Sequence, residues 1–193
     1  MDDTPNTVRP RLARTLVCMI PMAIITMAYV AGAGRHNAAL LEAAQVGDTR
    51  RAALALRCGA AVDAPAVEGL TPLMIASRAG NLHVVRILLD HGATVETAVS
   101  GYGTALTMAA TNDRAEVVQL LLSHGANAAW RDHHGNTILH YAAVGASAGV
   151  HDALLAAGAD PAARNRDDET ALDRAIDSEN TEAILALSAT FTH

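Results

Sequence analysis

Residues 71–93 read TPLMIASRAGNLHVVRILLDHGA, and this stretch decides the fold because it predicts two short helices joined by a tight turn. Thr71 is suited to cap the first helix, and Pro72 fits its first turn, where the missing N–H costs nothing. Gly80 ends that helix. The second helix is predicted over Leu82–Asp90, with apolar residues at core spacing, and Gly92 stops it in a position suited to left-handed backbone geometry.

The same pattern returns every 33 residues along the chain. The capping threonines are Thr71, Thr104, Thr137 and Thr170, each followed by Leu two positions later and by Ala five positions later. A Gly-Ala pair recurs with the same spacing at 59–60, 92–93, 125–126 and 158–159. Two such short helices are marginal in water, so each unit must bury its apolar face against the next. The register predicts an all-α solenoid of about five helix-turn-helix units with short hairpin loops, over about 36–65, 66–98, 99–131, 132–164 and 165–190.

Three stretches resemble ankyrin repeats: Thr71-Pro72-Leu73-Met74, Thr137-Ile138-Leu139-His140, and the run over 84–93 that reads VVRILLDHGA. The resemblance covers about residues 36–190. The first unit departs from it with Arg51-Ala52 where other units have two apolar residues, and the last has Ser188 in a Leu position and no Gly-Ala pair after it. Both departures are typical of the polar capping units that end a solenoid.

The resemblance implies a protein-binding role, because ankyrin proteins bind partners with the hairpin tips and the first helix of each unit. Tyr102 and Trp130 stand out near the tips, since large aromatic residues are scarce in this chain and are favoured interface anchors. A competing interpretation is that Trp130 only packs over the base of its hairpin. Carried over to matching positions, the partner-binding residues are Glu68, Leu70, Arg78, Tyr102, Thr111, Asn112, Trp130, His133, His134, Asn136, Arg166, Asp167 and Glu169, with Val67, Ser100, Gly101, Gly103, Val144 and Asp177 beside them.

Residues 1–33 differ from the rest of the chain. Three Arg residues precede an uncharged apolar run over 16–30, and the small residues Ala31–Gly34 follow. This order is typical of a secretory signal peptide, so we expect cleavage after Ala33 and a periplasmic or secreted protein. The alternative is an uncleaved anchor that holds the domain to the inner membrane, facing the periplasm, since the apolar stretch over 16–33 approaches the length of a membrane span.

Composition argues against nucleic-acid binding. The 14 basic residues are outnumbered by 20 acidic ones, which gives a formal net charge of -6 and no broad basic surface for phosphates. No pattern indicates a cofactor, a phosphate-binding loop or a catalytic nucleophile, so the chain is predicted not to be an enzyme. The membrane is a partner only through the N-terminal segment, if that segment is retained.

The nine histidines raise the question of a metal site. His91 and His124 share one column of the repeat with Cys58, but equivalent sites on stacked helices lie about 8–10 Å apart, too far for one zinc ion. We therefore predict no metal. His140 is expected to order its turn by hydrogen bonds, and His151 is expected to be a core residue because its column is apolar in the other units. Cys58 is expected to end a second helix as an inert, small apolar residue, with a redox role as the alternative.

Two functions remain open at the level of the sequence. The first is a periplasmic interaction module that supports oxidative-stress defence, since exported bacterial ankyrin proteins that look like this one include members that support a catalase. The second is an immunity protein that binds and blocks a periplasm-acting toxin, another use of exported ankyrin stacks. Either mechanism consists of occupying a surface.

Overall fold

A computed structural model describes residues 34–66 and 68–190 of the chain, so the leader predicted over 1–33, its cleavage point and Val67 lie outside the described residues. The described part is helical, with two isolated β-bridges in the hairpins. The helices are α1 (34–46), α2 (Thr49–Arg57), α3 (Pro72–Ala79), α4 (Leu82–Asp90), α5 (Ala105–Thr111), α6 (Ala115–Ser123), α7 (Ile138–Ala142), α8 (Ala148–Ala156), α9 (Ala171–Asp177) and α10 (Thr181–Ala189). None of the helices in this part of the chain is long and apolar enough to cross a membrane.

The helices form two parallel rows, as the repeat predicts. The first helices α3, α5, α7 and α9 each contact the next in the series, and the second helices α2, α4, α6, α8 and α10 do the same. The Leu column lies between the rows: Leu73, Leu106 and Leu139 are at most 1% exposed. The Ala column is also fully buried, and its small side chains let neighbouring helices approach closely. The all-α solenoid is therefore confirmed.

The caps predicted for the first helices are present. The side chains of Thr71, Thr104 and Thr170 each accept the backbone N–H of the residue three positions later. Pro72 occupies the first position of α3, and Gly80 ends that helix with a φ of 81°, a left-handed conformation that favours glycine. In the first unit, Ala38 stands where the others have Thr, and it lies inside α1 because alanine offers no capping oxygen.

The cap of α7, the first helix of the fourth unit, includes a histidine. The Nδ1 atom of His140 accepts the backbone N–H of Thr137 at 3.2 Å, and its Nε2 donates to the carbonyl of Glu169 at 2.9 Å. His140 therefore orders its turn, as predicted, and links it to the hairpin of the next unit. Burial lowers the pKa of His140 below its ordinary 6.5, against the opposing effect of the Glu169 carbonyl, and the neutral ring keeps Nδ1 free to accept.

His151 is the core residue that its column predicts. It is 0% exposed, and its Nδ1 lies 2.9 Å from the carbonyl of Ser147 on the same helix. Its Nε2 is buried and has no hydrogen-bond partner within the described residues. The start of this helix is held from both sides, because Asp113 accepts the N–H and the hydroxyl of Ser147 while Glu182 accepts the N–H of Ala148.

Polar links, which are hydrogen bonds between residues about one repeat apart in the sequence, join neighbouring units. The N–H of Thr94 donates to Asp63, and the N–H of Asn127 donates to Glu96, both across 31 residues. The amide of Asn81 likewise donates to the carbonyl of Ala44, 37 residues away. These bonds satisfy backbone groups at helix ends that would otherwise face water.

Cys58 lies at the end of a second helix, as predicted. It follows α2 directly as the C-cap residue and is exposed, with no disulfide. His91 and His124 occupy the same column and are exposed too, because this column follows the last turn of each second helix and faces solvent. Within the described residues, no group of three or more His, Cys, Asp or Glu side chains is placed to hold a metal ion.

The fourth unit is expected to be the loosest of the stack. Its first helix, α7, has five residues, against seven in α5 and α9, and Gly149 lies inside α8. Gly145 lies in the turn between them, so only Gly149 carries the helix-interior cost of up to about 1 kcal/mol. We predict that backbone amides over 144–157 exchange with deuterium faster than those over 114–124, as measured by mass spectrometry or NMR. Equal protection of the two segments would contradict this.

Candidate protein-binding face

Two adjacent clefts open on the side of the stack formed by the hairpin tips and the first helices. The first cleft, of about 210 Å³, lies between Arg78, Tyr102, Thr107, Met108 and Tyr141. The second cleft, of about 390 Å³, lies between two consecutive hairpins and is lined by Val99, Trp130, Arg131, His133, His134 and Tyr141. Gly101 and Tyr141 line both clefts. We call the surface around the two clefts the tip face.

Three aromatic residues shape the tip face. The rings of Trp130 and Tyr141 lie 6.5 Å apart at a tilt of 41°, within the range of a favourable aromatic pair. Trp130 is half-buried and packs against the hydrophobic core, and it also lines the second cleft. Trp130 therefore packs over its hairpin while part of its ring lines the second cleft, and its role as an interface anchor stays a prediction.

The hydroxyl of Tyr102 fixes the edge of the first cleft. It donates to Oε2 of Glu68, in the preceding hairpin, at 2.7 Å. This hydrogen bond and the negative charge of Glu68 raise the pKa of Tyr102 above its ordinary value, so the phenol stays protonated at neutral pH. The bond joins the tips of two consecutive units and holds the ring beside Arg78.

Asp132 shapes the hairpin that carries the histidine pair. Its Oδ1 accepts the N–H groups of His134 and Asn136, both at 2.8 Å, and its Oδ2 accepts the hydroxyl of Tyr141 at 2.6 Å and the amide of Asn136 at 3.0 Å. Partial burial by itself favours a higher pKa for Asp132. The four hydrogen bonds together have the larger effect, so the pKa is lowered to about 2. Burial and the bond to Asp132 raise the pKa of Tyr141 to about 12.

Asp132 contributes to the acid dependence of the free energy of unfolding. Because its pKa is lowered from 3.8 to about 2, its contribution is complete above about pH 4 and is lost as the pH falls toward 2. We predict that Asp132→Asn lowers the free energy of unfolding by about 1–2 kcal/mol at pH 6, after allowance for partial solvent exposure. Urea denaturation at pH 6 and pH 2.5 checks this. The difference in free energy of unfolding between the wild type and the variant should be smaller at pH 2.5 than at pH 6. An equal difference at both pH values would contradict the prediction.

The structure groups some of the predicted binding residues and separates others. Arg78, Tyr102, Thr111 and Asn112 line the first cleft, and Trp130, His133 and His134 line the second. Glu68 reaches the first cleft through its bond to Tyr102. Among the residues that line neither cleft are Arg166, Asp167 and Glu169 of the last hairpin, and Val144 and Asp177 of the fourth and fifth units.

Two of the predicted binding residues require correction. Leu70 is 3% exposed and Asn136 is 8% exposed, so neither offers a side chain to a partner. Each directly precedes the capping Thr of its unit, where the chain turns inward to begin the helix. Leu70 joins the hydrophobic core, and the Oδ1 of Asn136 accepts the amide of Asn165 in the next unit at 3.0 Å.

Three residues that line the clefts were not predicted from the sequence: Tyr141, Met108 and Arg131. Tyr141 and Met108 occupy one column, four positions after the capping Thr, where the other units have Ile75 and Arg174. This column changes from unit to unit, yet Ile75 and Met108 in it are buried in the core. The column directly before it changes too, so variation within the repeat does not by itself identify Tyr141.

Comparison with known protein families agrees with the architecture. A family model described as ankyrin repeats, in three copies, matches residues 25–98, 40–132 and 97–165, which together cover well over half of the chain. No curated protein matches the chain significantly. The repeat register, the stacked helix pairs and this match show that the chain belongs to the ankyrin repeat family.

Proposed function

We propose that this chain is exported and, in the periplasm, binds a partner protein through the tip face. Ankyrin repeats indicate a protein–protein interaction module, so a binding role follows from the family. The observation that carries the location of binding is the grouping of Tyr102, Trp130 and Tyr141 around two connected clefts. Aromatic residues at the centre of a surface are the usual source of binding energy between proteins.

We also propose that the protein acts by binding alone. The ankyrin fold is typically a non-catalytic scaffold. The side chains that line the clefts include Tyr, Trp, His, Arg, Thr, Ser, Asn, Met and Val, and the carboxylate among them, Asp132, is engaged in four hydrogen bonds that shape its hairpin. Such a surface can hold another protein, and its groups are arranged for contact with a partner.

The specific role that we propose is support of a catalase in defence against peroxide, as the resemblance to exported ankyrin proteins implies. Affinity capture from periplasmic extract with the full-length chain tests it, since a captured catalase supports the role. Deletion of the gene should then lower survival under peroxide and leave growth without peroxide unchanged. Unchanged survival would contradict the catalase role, and capture of a toxin in place of a catalase would indicate the immunity function.

Export is tested on the same protein. Cell fractionation should place it in the periplasm, and N-terminal sequencing of the mature form should begin after Ala33. A mature form that keeps Met1 and stays with the inner membrane would indicate the anchored alternative, in which the tip face still faces the periplasm. Recovery in the cytoplasm would contradict export in either form.

The contribution of the tip face to binding gives a direct prediction. Trp130→Ala and His134→Ala should each weaken binding of the captured partner at least tenfold, as expected for residues near the centre of an interface. Binding is measured by surface plasmon resonance with the purified partner. Leu185→Ala is the control, because Leu185 is 71% exposed and lies on the last helix, away from both clefts.

Stability has to be measured beside binding, since Trp130 also packs against the core. His134 is exposed, so His134→Ala should lower affinity while the melting temperature stays unchanged. If both variants bind as tightly as the wild type, the tip face is not the binding surface. If Trp130→Ala loses affinity only in proportion to unfolded protein, its role is packing alone.

A further inference from the structure

The first cleft has the size and lining of a site for one apolar side chain. Its floor is formed by Thr107 and Met108, which are 2% and 6% exposed, and its walls by Tyr102 and Tyr141. A volume of about 210 Å³ is below the roughly 300–1,000 Å³ that small-molecule sites need. A single aliphatic or methionine side chain from a partner would cover these apolar walls.

Cationic and imidazole side chains line the two adjoining clefts. Arg78 lies in the first cleft, and Arg131, His133 and His134 lie in the adjoining second cleft. Arg78 contacts the neutral side chain of Gln45 at 3.4 Å, and Arg131 contacts the backbone carbonyl of Arg164 at 3.3 Å. Within residues 34–66 and 68–190, neither guanidinium forms an ion pair.

The acidic groups near the clefts are already engaged. Asp132 is the acidic residue that lines the second cleft, and both of its oxygens accept two hydrogen bonds each from its own unit. Glu68, at the edge of the first cleft, accepts the hydroxyl of Tyr102. Both carboxylates keep their negative charge, but their oxygens are engaged within the protein, whereas Arg78 and Arg131 have no carboxylate partner among the described residues. The two guanidinium groups are therefore the charged groups of the tip face that are left to pair with carboxylates of a partner.

We infer that the tip face recognises a surface segment of its partner in which one apolar side chain is flanked by carboxylates. The apolar side chain enters the first cleft, and the flanking carboxylates reach Arg78 in that cleft and Arg131 with the histidine pair in the adjoining one. This inference rests on the proposed binding function and adds the chemistry of the segment that is bound. Charge complementarity of this kind sets partner choice and association rate.

Selection from a random library of twelve-residue displayed peptides on the immobilised full-length chain tests the inference. The enriched peptides should share a Leu, Ile, Met or Phe with acidic residues on both sides. A synthetic, fluorescently labelled peptide of the enriched sequence should bind in an anisotropy titration. Its affinity should fall as sodium chloride is raised, because the charges are near the surface and are screened.

Charge-reversal variants locate the carboxylates. Arg78→Glu and Arg131→Glu should each weaken binding of the labelled peptide about tenfold, as expected for close charge pairs at an interface. Arg86→Glu is the matched control, since Arg86 is exposed on α4 and lines neither cleft, and its affinity should stay within about twofold of the wild type. Thr111→Trp tests the apolar part: Thr111 is exposed at the mouth of the first cleft, and a bulky ring there should block entry and abolish binding.

The outcomes distinguish the inference from the function on which it rests. Enriched peptides without acidic residues, or affinity that is unaffected by either reversal, would overturn the acidic chemistry. If such peptides still lose binding in Trp130→Ala, the tip face remains the binding surface and only its partner chemistry was wrong. If no peptide is enriched, or if binding is also unaffected by Trp130→Ala, the inference and the proposed binding face both fail.

Discussion

Replacing Leu106 by alanine should lower the free energy of unfolding by about 3–4 kcal/mol, a large part of the stability of an ordinary domain. Leu106 is 1% exposed and lies in α5, the first helix of the central unit. This helix contacts α3, α6 and α7, so a cavity there weakens the packing of three consecutive units. In a solenoid, each unit is stable only through its neighbours, and loss of the central contacts affects both halves of the stack.

Denaturation by urea, followed by circular dichroism at the helix signal, measures this effect. Leu54→Ala is the matched control, because it makes the same chemical change at a position that is 59% exposed. This variant should lose less than about 1 kcal/mol in free energy of unfolding. Similar losses in the two variants would show that the Leu column does not form the core.

Gly103→Ala is expected to lower the free energy of unfolding by about 2–4 kcal/mol. This is well above the loss expected for Gly101→Ala in the same hairpin. Gly103 has a φ of 77°, and a Cβ atom added there would lie 2.8 Å from the Cβ of Thr107 and 2.9 Å from its Oγ1. Thr107 is 2% exposed and takes part in the reciprocal cap with Thr104 at the start of α5. The new methyl group therefore adds left-handed strain and also displaces a buried capping side chain.

Gly101→Ala provides the comparison within the same hairpin. Its φ of 82° imposes a similar strain, but nothing lies within 4 Å of the added Cβ. We expect a cost of about 1–2 kcal/mol from the backbone alone. Thermal unfolding of the two variants side by side separates strain from collision, and equal melting temperatures would show that Thr107 moves aside without cost.

Most of the fold could be predicted because the repeat constrains the helices strongly. The predicted helix over Leu82–Asp90 has the bounds found in the structure, since Gly80 ends the preceding helix and Gly92 follows the next at a left-handed turn. The Ala column and Leu73, Leu106 and Leu139 are buried because their period matches the packing of one unit on the next, whereas Leu172 of the last unit is half-buried. A local pattern that is repeated in one register leaves little freedom in how the units stack.

The details of the surface were harder to predict. Cys58 and Leu70 are both apolar by type, yet one is exposed and the other is 3% exposed. The two residues differ in where they lie: Cys58 follows a second helix on the solvent side, and Leu70 leads into a first helix beneath its hairpin. Residue type alone does not predict this difference, because it depends on the geometry of the turn in which each residue lies.

The candidate site was predicted in part for the same reason. Tyr102, Trp130 and the histidine pair stand out by composition, and the structure places them at the clefts. Tyr141 was missed because it lies next to the buried His140 in a short helix, where a core role is the simpler prediction. Its hydroxyl reaches Asp132, nine residues earlier, through a bond that no helical or strand periodicity indicates.

The polar links between units have a consequence for how such a chain changes over generations. Asp63 with Thr94 and Glu96 with Asn127 are the same bond repeated one unit further along. Each bond reaches only the adjacent unit, so duplication or loss of one whole period in the gene would disturb the bonds at that junction and leave those between the other units in place. The length of the stack, and with it the area offered to a partner, can therefore grow or shrink in steps of 33 residues without redesign of the remainder.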